Sequence, residues 1–298
     1  MARSARAKPP WLKVRLPGSP RYDQIKQRAR QLRLATVCEE ARCPNIGECW
    51  GGGTATFMVM GDTCTRGCRF CAVKSRKFGV PLDPDEPRNV AEAIAEMQLD
   101  YVVLTSVDRD DLPDGGAGHF AACVRAIREA APNTMVEVLI PDFSGHLGHL
   151  LTVVMSEPEV IAQNIETVER LTHPVRDARA SYRQTMDVLA AIKTMDPNRF
   201  TKSSIMVGLG ETVDEVRQTM VDLRSVGVDF LTVGQYLQPT RKHLRVAEFI
   251  EPAQFKAYEE MGLDLGFAYV ASGPLVRSSY KAGEFFITRY LKQQRNQA

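Results

Sequence analysis

The chain has 298 residues, with 38 Lys and Arg against 36 Asp and Glu, a net charge of +2, 44% hydrophobic and 25% charged residues. That balance belongs to a globular protein with a sizeable core. It excludes wholesale disorder and gives no electrostatic footprint for nucleic acid or an anionic membrane surface. No apolar run approaches the roughly 18 residues of a membrane span.

Met1 to Arg15 is basic, carries Pro9 and Pro10, and lacks the apolar core of a secretory signal. Arg3, Ser4, Arg6 and Lys8 are the residue types of a short organellar leader, but composition favours a solvated basic arm. A helix is expected over Tyr22–Leu32. Residues 1–53 are otherwise irregular, punctuated by Pro17, Pro20 and Gly51–Gly53.

From residue 54 the texture alternates. Apolar, β-branched runs predict strands at Thr56–Met60, Tyr101–Thr105, Met135–Ile140, Val160–Asn164, Ser204–Val207 and Phe230–Val233. Helical periodicity falls between them at Val90–Gln98, His119–Ala130, Gly145–Met155, Tyr182–Thr194 and Val213–Ser225. Glu211, Thr212 and Asp214 make a good acidic start for the last of these. The tail predicts a helix over Pro252–Met261, a short strand near Phe267–Val270 and a final helix. The pattern reads as βα units, an α/β fold. Periodicity leaves an open doubly wound sheet and a partial barrel both open.

Of the seven cysteines, six fall between Cys38 and Cys71, and the rest of the chain holds only Cys123. A secreted disulfide protein spreads its cysteines over a small domain, so this clustering reads as metal ligation in a reducing compartment. Cys123 sits in the helical pattern FAACVRAIREA and reads as a small core residue. Cys64, Cys68 and Cys71 form C-x3-C-x2-C just after the first strand, with Phe70 before the last cysteine. Thiolates are the soft ligands of iron–sulfur clusters, and three of them leave one iron of a [4Fe–4S] cluster open for a substrate or cofactor. The alternative is zinc, which normally takes four ligands as two pairs. The spacing and the aromatic favour iron–sulfur, and hence a radical S-adenosylmethionine enzyme. Cys38, Cys43 and Cys49 read C-x4-C-x5-C. They suit a second cluster with an open iron or a fourth ligand from elsewhere, and structural thiols are the alternative.

Both signatures together, with CPNIGECW and TATFM between them, resemble the lipoyl synthase family. So do VVLTSVDRDDLPDGG (102–116), QNIETV (163–168), VGLGET (207–212), GQYLQPT (234–240) and ASGPLVRSSYKAGEFF (271–286). The order and spacing of these stretches carry the resemblance over nearly the whole chain. It implies a partial (β/α)6 TIM-type barrel over 54–239. A 1–53 extension would carry the auxiliary cysteines, and a 240–298 extension the Arg277-Ser278-Ser279-Tyr280 motif. It implies two [4Fe–4S] clusters: Cys64, Cys68 and Cys71 hold the one that binds S-adenosylmethionine, while Cys38, Cys43 and Cys49, with Ser279 as fourth ligand, hold the auxiliary one.

The implied reaction is sulfur insertion at C6 and C8 of a protein-bound octanoyl-lysine by 5′-deoxyadenosyl radicals, with the auxiliary cluster as sulfur donor. The implied partners are octanoylated lipoyl carrier domains of 2-oxoacid dehydrogenase E2 subunits and the glycine cleavage H protein, with an electron donor such as flavodoxin or ferredoxin. A biotin-forming or methylthio-transferring enzyme, and a non-catalytic zinc or electron-transfer protein, are the competing readings.

Five further residues sit at expected strand ends and are candidates for contacting S-adenosylmethionine. Thr105 and Ser106 would meet its methionine part, Asn164 and Glu166 its ribose hydroxyls, and Arg176 its carboxylate. Gly208 and Gly210 fit either approach to adenine or a tight turn. Asp108, Asp110 and Asp111 are expected in a solvated, Arg109-paired loop. A bacterial cytoplasm and a mitochondrial matrix both satisfy the reducing-compartment argument, and the short basic start leans toward the cytoplasm.

Overall fold

The computed structural model describes residues 8–13, 18–31, 34–40, 43, 45–51, 55–99 and 101–280. Arg3, Ser4 and Arg6 of the basic start, the Lys281–Ala282 end of the RSSYKA stretch and the expected final helix lie outside them.

The N-terminal part holds α1 (Pro20–Gln31), β1 (Ala35–Thr36), α2 (Val37–Glu40) and α3 (Ile46–Gly51). Trp50 of α3 is fully buried and its ring lies 5.1 Å from that of Tyr22 on α1. Burying a side chain that large contributes about 2–3 kcal/mol, enough to hold this segment on the rest of the molecule.

Thr56 begins the βα units. β2 (Thr56–Val59) leads through a loop containing β3 (Thr63–Cys64) and β4 (Lys74–Ser75) to α4 (Glu86–Met97). Then follow β5 (Tyr101–Ser106), α5 (Ala117–Ala130), β6 (Met135–Leu139), α6 (Leu147–Val154) and β7 (Val160–Ala162). After β7 come the single-turn α7 (Thr172–Val175), α8 (Tyr182–Met195), β8 (Phe200–Val207), α9 (Val213–Ser225), β9 (Phe230–Gln235), α10 (Pro252–Asp264) and β10 (Tyr269–Gly273). The strands lie side by side in the order β1-β2-β5-β6-β7-β8-β9-β10. Every pairing from β2 onward is parallel, and β1 alone is antiparallel. All residues of β2 and β9 are buried, as parallel strands covered on both faces must be.

The sheet is curled. Tyr101 and Val103 of β5, Met135 of β6, Val160 of β7 and Phe230 of β9 share one apolar cluster. β5 and β9 stand four strand spacings apart, roughly 19 Å in a flat sheet. The two ends of the parallel run also meet. Thr56 Oγ1 on β2 donates to Ser279 Oγ just past β10 at 3.0 Å, and Asn45 Nδ2 donates to the Leu275 carbonyl at 2.6 Å. This is a partial barrel rather than an open sheet, and β10, the short strand expected near Phe267–Val270, joins the six as a seventh parallel strand.

Within the described residues the expected elements are found, two of them starting four residues early: α4 at Glu86 rather than Val90, and β8. β8 begins at Phe200, four residues before the predicted start, because its polar run Thr201–Ser204 is buried and paired rather than looped. β1 is too short for any periodicity to show. α9 occupies its expected span, and a reciprocal capping box between Thr212 and Glu215 fixes its start.

Candidate active site

β2 ends in a sharp turn. Met60 and Gly61 both take left-handed backbone, φ +66° and +85°. The Met60 N–H donates to the Glu86 carboxylate at 2.8 Å, and His119 Nε2 reaches the same oxygen at 2.6 Å. A non-glycine residue held in that region persists only where its surroundings over-determine it. The turn launches the loop that carries Cys64, Cys68 and Cys71 from the C-terminal end of the first barrel strand.

The three thiols converge. Each is half-buried, and each opposes ionisation of another member of the set. Burial pushes Cys64 and Cys68 up to about 12 and Cys71 up to about 11. Backbone N–H groups already aim at two of the sulfurs: Arg66 N at Cys64 Sγ (3.4 Å) and Asp177 N at Cys68 Sγ (3.3 Å). Converging thiols that meet N–H donors, with burial working against their ionisation, fit a soft cationic group that would stabilise them as thiolates.

The loop is fixed by an ion-pair network the sequence did not announce. Arg66 is buried and clamps Asp142 with Nη1 and Nη2, both at 2.7 Å, and Asp110 through Nε (3.0 Å) and Nη2 (2.8 Å). Arg179 Nη2 donates to the Thr65 carbonyl at 2.7 Å, and Asp177 accepts from Gly67 N–H at 2.7 Å. The expected solvated loop at Asp108–Asp111 is corrected here. Asp111 does pair with Arg109, but Arg109 is buried, Asp110 is bound to Arg66, and burial lifts Asp108 to about 6 against the pull of Arg66. Arg66, two residues after Cys64, was the available signal.

Cys38 and Cys49 are buried and Cys43 is half-buried, and among the described residues no disulfide forms. Turns bring the three toward one another: Cys43 N–H donates to the Cys38 carbonyl at 3.0 Å and Cys49 N–H to Asn45 at 2.9 Å. The Arg277–Tyr280 turn lies against this segment. Burial raises the Cys43 thiol, with the Asn45 backbone and the charge of Arg277 pulling it back. Tyr280 Oη donates to the Glu48 carboxylate at 3.2 Å. Ser279 is held at the same place by Thr56.

The other candidates line the mouth of the barrel at the strand ends. Thr105 Oγ1 donates to the Leu139 carbonyl at 2.9 Å. Ser106 Oγ, Asn164 Oδ1 and Arg176 Nε are buried without a hydrogen-bond partner among the described residues. Orphaned buried polar atoms are costly, so three near one mouth point to a polar ligand there. Glu166 has φ +68° and is pinned by Glu166 N to Ser204 O (3.0 Å) and Met206 N to Glu166 O (2.8 Å). Burial raises its carboxyl, and Arg176 opposes that. Arg176 Nη1 donates to Thr185 Oγ1 at 2.9 Å. Gly208 proves to be a packing glycine: with φ +95°, a Cβ there would strike the Gln235 amide and the Glu248 carbonyl.

A curled parallel βα sheet with three converging thiols on the loop after its first barrel strand defines a radical S-adenosylmethionine enzyme. The Radical SAM superfamily matches residues 58–223, and the N-terminal domain of lipoyl synthase matches residues 2–43. The mitochondrial lipoyl synthase of Culex quinquefasciatus is 60% identical over 291 residues, covering 96% of this chain and 77% of that protein. That of Drosophila melanogaster is 60% identical over 292 residues, covering 96% and 78%. The chain belongs to the lipoyl synthase family and has its sulfurtransferase activity (EC 2.8.1.8).

Membership of the superfamily carries a [4Fe–4S] cluster and S-adenosylmethionine. Methylornithine synthase (TM-score 0.54, 12% identity, 94% of this chain and 89% of that one) shares the fold. So does the FeFe-hydrogenase maturase HydG of Carboxydothermus hydrogenoformans (0.55, 12%, 91% and 78%). The leaning toward a cytoplasmic location is overturned: the Culex, Aedes and Drosophila relatives are mitochondrial by name. A short basic start was too little sequence to separate a solvated arm from a leader.

Proposed function

We propose that Cys64, Cys68 and Cys71 hold a [4Fe–4S] cluster whose fourth iron takes S-adenosylmethionine, and that Cys38, Cys43, Cys49 and Ser279 hold a second. The division into a barrel (54–239) and two extensions (1–53 and 240–298) then has a functional sense, because the extensions jointly supply the second ligand set. The observation that carries this reading is the docking of the Leu275–Tyr280 stretch onto the Cys43–Cys49 segment, through Asn45 to Leu275 and Tyr280 to Glu48, with Thr56 holding Ser279 beside it.

When bound, these groups supply a carbon-centred radical able to break an unactivated C–H bond, and sulfur to replace the hydrogen. The chain supplies position and exclusion of water. Ser106, Asn164 and Arg176 offer the unmet hydrogen-bonding capacity that S-adenosylmethionine would satisfy, with the Glu166 carboxylate beside them accepting from Asn164 Nδ2 at 3.2 Å. Arg66, Asp110 and Asp142 keep the cysteine loop rigid. Ser279 would present a hard oxygen ligand beside soft thiolates, a weak and replaceable partner suited to an iron that must be released as sulfur is consumed.

The reaction is sulfur insertion at C6 and C8 of an octanoyl-lysine on a lipoyl carrier domain of a 2-oxoacid dehydrogenase E2 subunit or glycine cleavage H protein. Flavodoxin or ferredoxin would serve as electron donor. The setting is the one the relatives' names give. No helix among the described residues is long and apolar enough to cross a membrane.

The test is metal content and product together. Reconstituted wild-type chain is expected to bind about eight irons with matching sulfide. It should form lipoyl product from an octanoylated peptide, a reductant and S-adenosylmethionine. Replacing Cys38, Cys43 and Cys49 by alanine is expected to halve the iron and abolish product while 5′-deoxyadenosine still forms. Lipoyl product from that variant overturns the sulfur-donor assignment, and zinc in place of iron overturns the enzyme reading of the ligand sets.

A further inference from the structure

The five histidines suggest no catalytic set in the sequence, yet one of them touches the cysteine loop. His243 lies past β9, in the segment that crosses the barrel mouth. Its Nε2 is 2.9 Å from the Cys71 carbonyl and its Nδ1 is 2.8 Å from Thr240 Oγ1. A carbonyl can only accept, so Nε2 carries the hydrogen. In the neutral ring Nδ1 then accepts from the threonine hydroxyl. The two partners fix both the tautomer and the plane of the ring.

The contact is part of a strap. Leu244 N–H donates to the Arg69 carbonyl at 3.2 Å. The strap is itself held in shape by Gln238 Nε2 to His243 O (2.8 Å) and Tyr236 Oη to Leu244 O (2.8 Å). On the opposite flank Arg69 N–H donates to Val175 O at 2.9 Å, and Asp177 binds Gly67. The loop from Gly67 to Cys71 is gripped from two sides, and on the strap side His243 supplies the grip's sole side-chain donor among the described residues.

We propose that His243 is a positioning residue for Cys71: its Nε2–H holds the Cys71 peptide so that the thiolate faces the cluster, and Thr240 keeps the imidazole in the donating tautomer. This rests on the ligand role of Cys71 proposed above. Hydrogen bonds behind a metal ligand orient it and tune the metal, and losing one typically weakens metal retention by about 10- to 100-fold. A donor that draws electron density from the peptide of a cluster ligand also favours the cluster's reduced, more negative state, so removing it shifts the reduction potential downward.

The experiment compares reconstituted wild-type, His243→Phe, His243→Gln and Thr240→Val chains. The reduced first cluster is followed by the part of its electron paramagnetic resonance signal that responds to S-adenosylmethionine. Decay of that signal under a chelator and its reduction potential are measured, together with thermal melting of the metal-free chain. His243→Phe is expected to lose the signal roughly tenfold faster and at a more negative potential. Gln, whose amide can still donate, recovers most of the retention, and Thr240→Val falls between. Metal-free melting stays near wild type in all of them.

Wild-type decay and potential in His243→Phe overturn the proposal. So does equal impairment of the Phe and Gln variants with a lowered metal-free melting temperature, which marks a merely structural side chain. Cys71→Ala serves as the separate control. If it keeps the S-adenosylmethionine-responsive signal, the ligand reading itself fails. If it loses the signal while His243→Phe behaves as wild type, this inference alone fails.

Discussion

The Thr56 hydroxyl donates to the Ser279 hydroxyl at 3.0 Å, joining the first barrel strand to a turn 223 positions later in the chain. This bond spans the gap between the two ends of the parallel sheet. The same turn reaches the cysteine segment through its neighbours, Tyr280 Oη donating to Glu48 at 3.2 Å and the charge of Arg277 acting on Cys43. Closure of the fold and presentation of a candidate ligand are therefore one local event.

Two substitutions separate these roles. Ser279→Ala is expected to lower lipoyl formation by about 10- to 100-fold while 5′-deoxyadenosine production continues. Thr56→Val removes only the donor. It is expected to cost about 1 kcal/mol of stability in a denaturant titration and to leave lipoyl formation within a few-fold of wild type. Full activity in Ser279→Ala would strip the serine of its ligand role.

Arg66 is the strut of the cysteine loop. Arg66→Met leaves the Asp142 carboxylate, whose side chain is 1% exposed, without its cation, while Asp110 keeps Arg179 Nη1 at 3.1 Å. Breaking a buried pair from one side costs about 3–5 kcal/mol. Unfolding of the metal-free variant should show that loss, with Arg66→Lys intermediate because an ammonium cannot reproduce the two-sided fork. A cost below about 1 kcal/mol would mean the network is dispensable.

The acid limb of stability carries a contribution from Asp111. Arg109 grips its carboxylate at 2.8 and 3.0 Å, Gly79 N–H adds a bond at 3.1 Å, and the guanidinium holds its pKa below the usual carboxylate range. A carboxylate depressed in the folded state stabilises the fold above its unfolded pKa of about 4, and that contribution disappears as pH falls through the folded value. Melting curves between pH 7 and pH 3 should show Asp111→Asn less stable near neutrality by about 2 kcal/mol. The variant's acid limb should be shallower, so that the two curves approach one another at the acid end. Parallel curves would remove Asp111 from the acid response.

The sequence exposed the parts of this molecule whose chemistry is local. The six barrel strands, the span of α9 with its Thr212–Glu215 cap, and the C-x3-C-x2-C loop each announce themselves within a dozen residues. The lumen did not. Thr201, Lys202, Ser203 and Ser204 read as a polar lead-in, so β8 was expected to begin at Ser204. In the fold Thr201 N–H donates to Asp229, and Ser203 bridges the Gln163 carbonyl and the Ile165 N–H. Polar residues buried on either face of a barrel strand are satisfied by partners distant in sequence, and one-dimensional periodicity cannot see those partners. Ser279 and His243 escaped physical reading for the same reason, and Ser279 was found through family resemblance alone.

Lys202 is the sharpest case. Its ammonium lies 2.8 and 2.9 Å from the two Glu137 oxygens, both side chains are at most 2% exposed, and Tyr101 Oη donates to the same carboxylate. The pair sits beside the apolar cluster of Tyr101, Met135 and Phe230. Removing both charges from water is costly, so the pair's net contribution to stability is small, while breaking it from one side is severe. Lys202→Met is accordingly expected to destabilise the metal-free chain by about 3–5 kcal/mol, leaving Glu137 with Tyr101 as its remaining partner. Lys202→Met combined with Glu137→Leu should recover much of that loss, since no uncompensated charge then remains buried. The double-mutant cycle read from denaturant unfolding decides it: single and double losses that simply add would show that the two groups do not depend on each other.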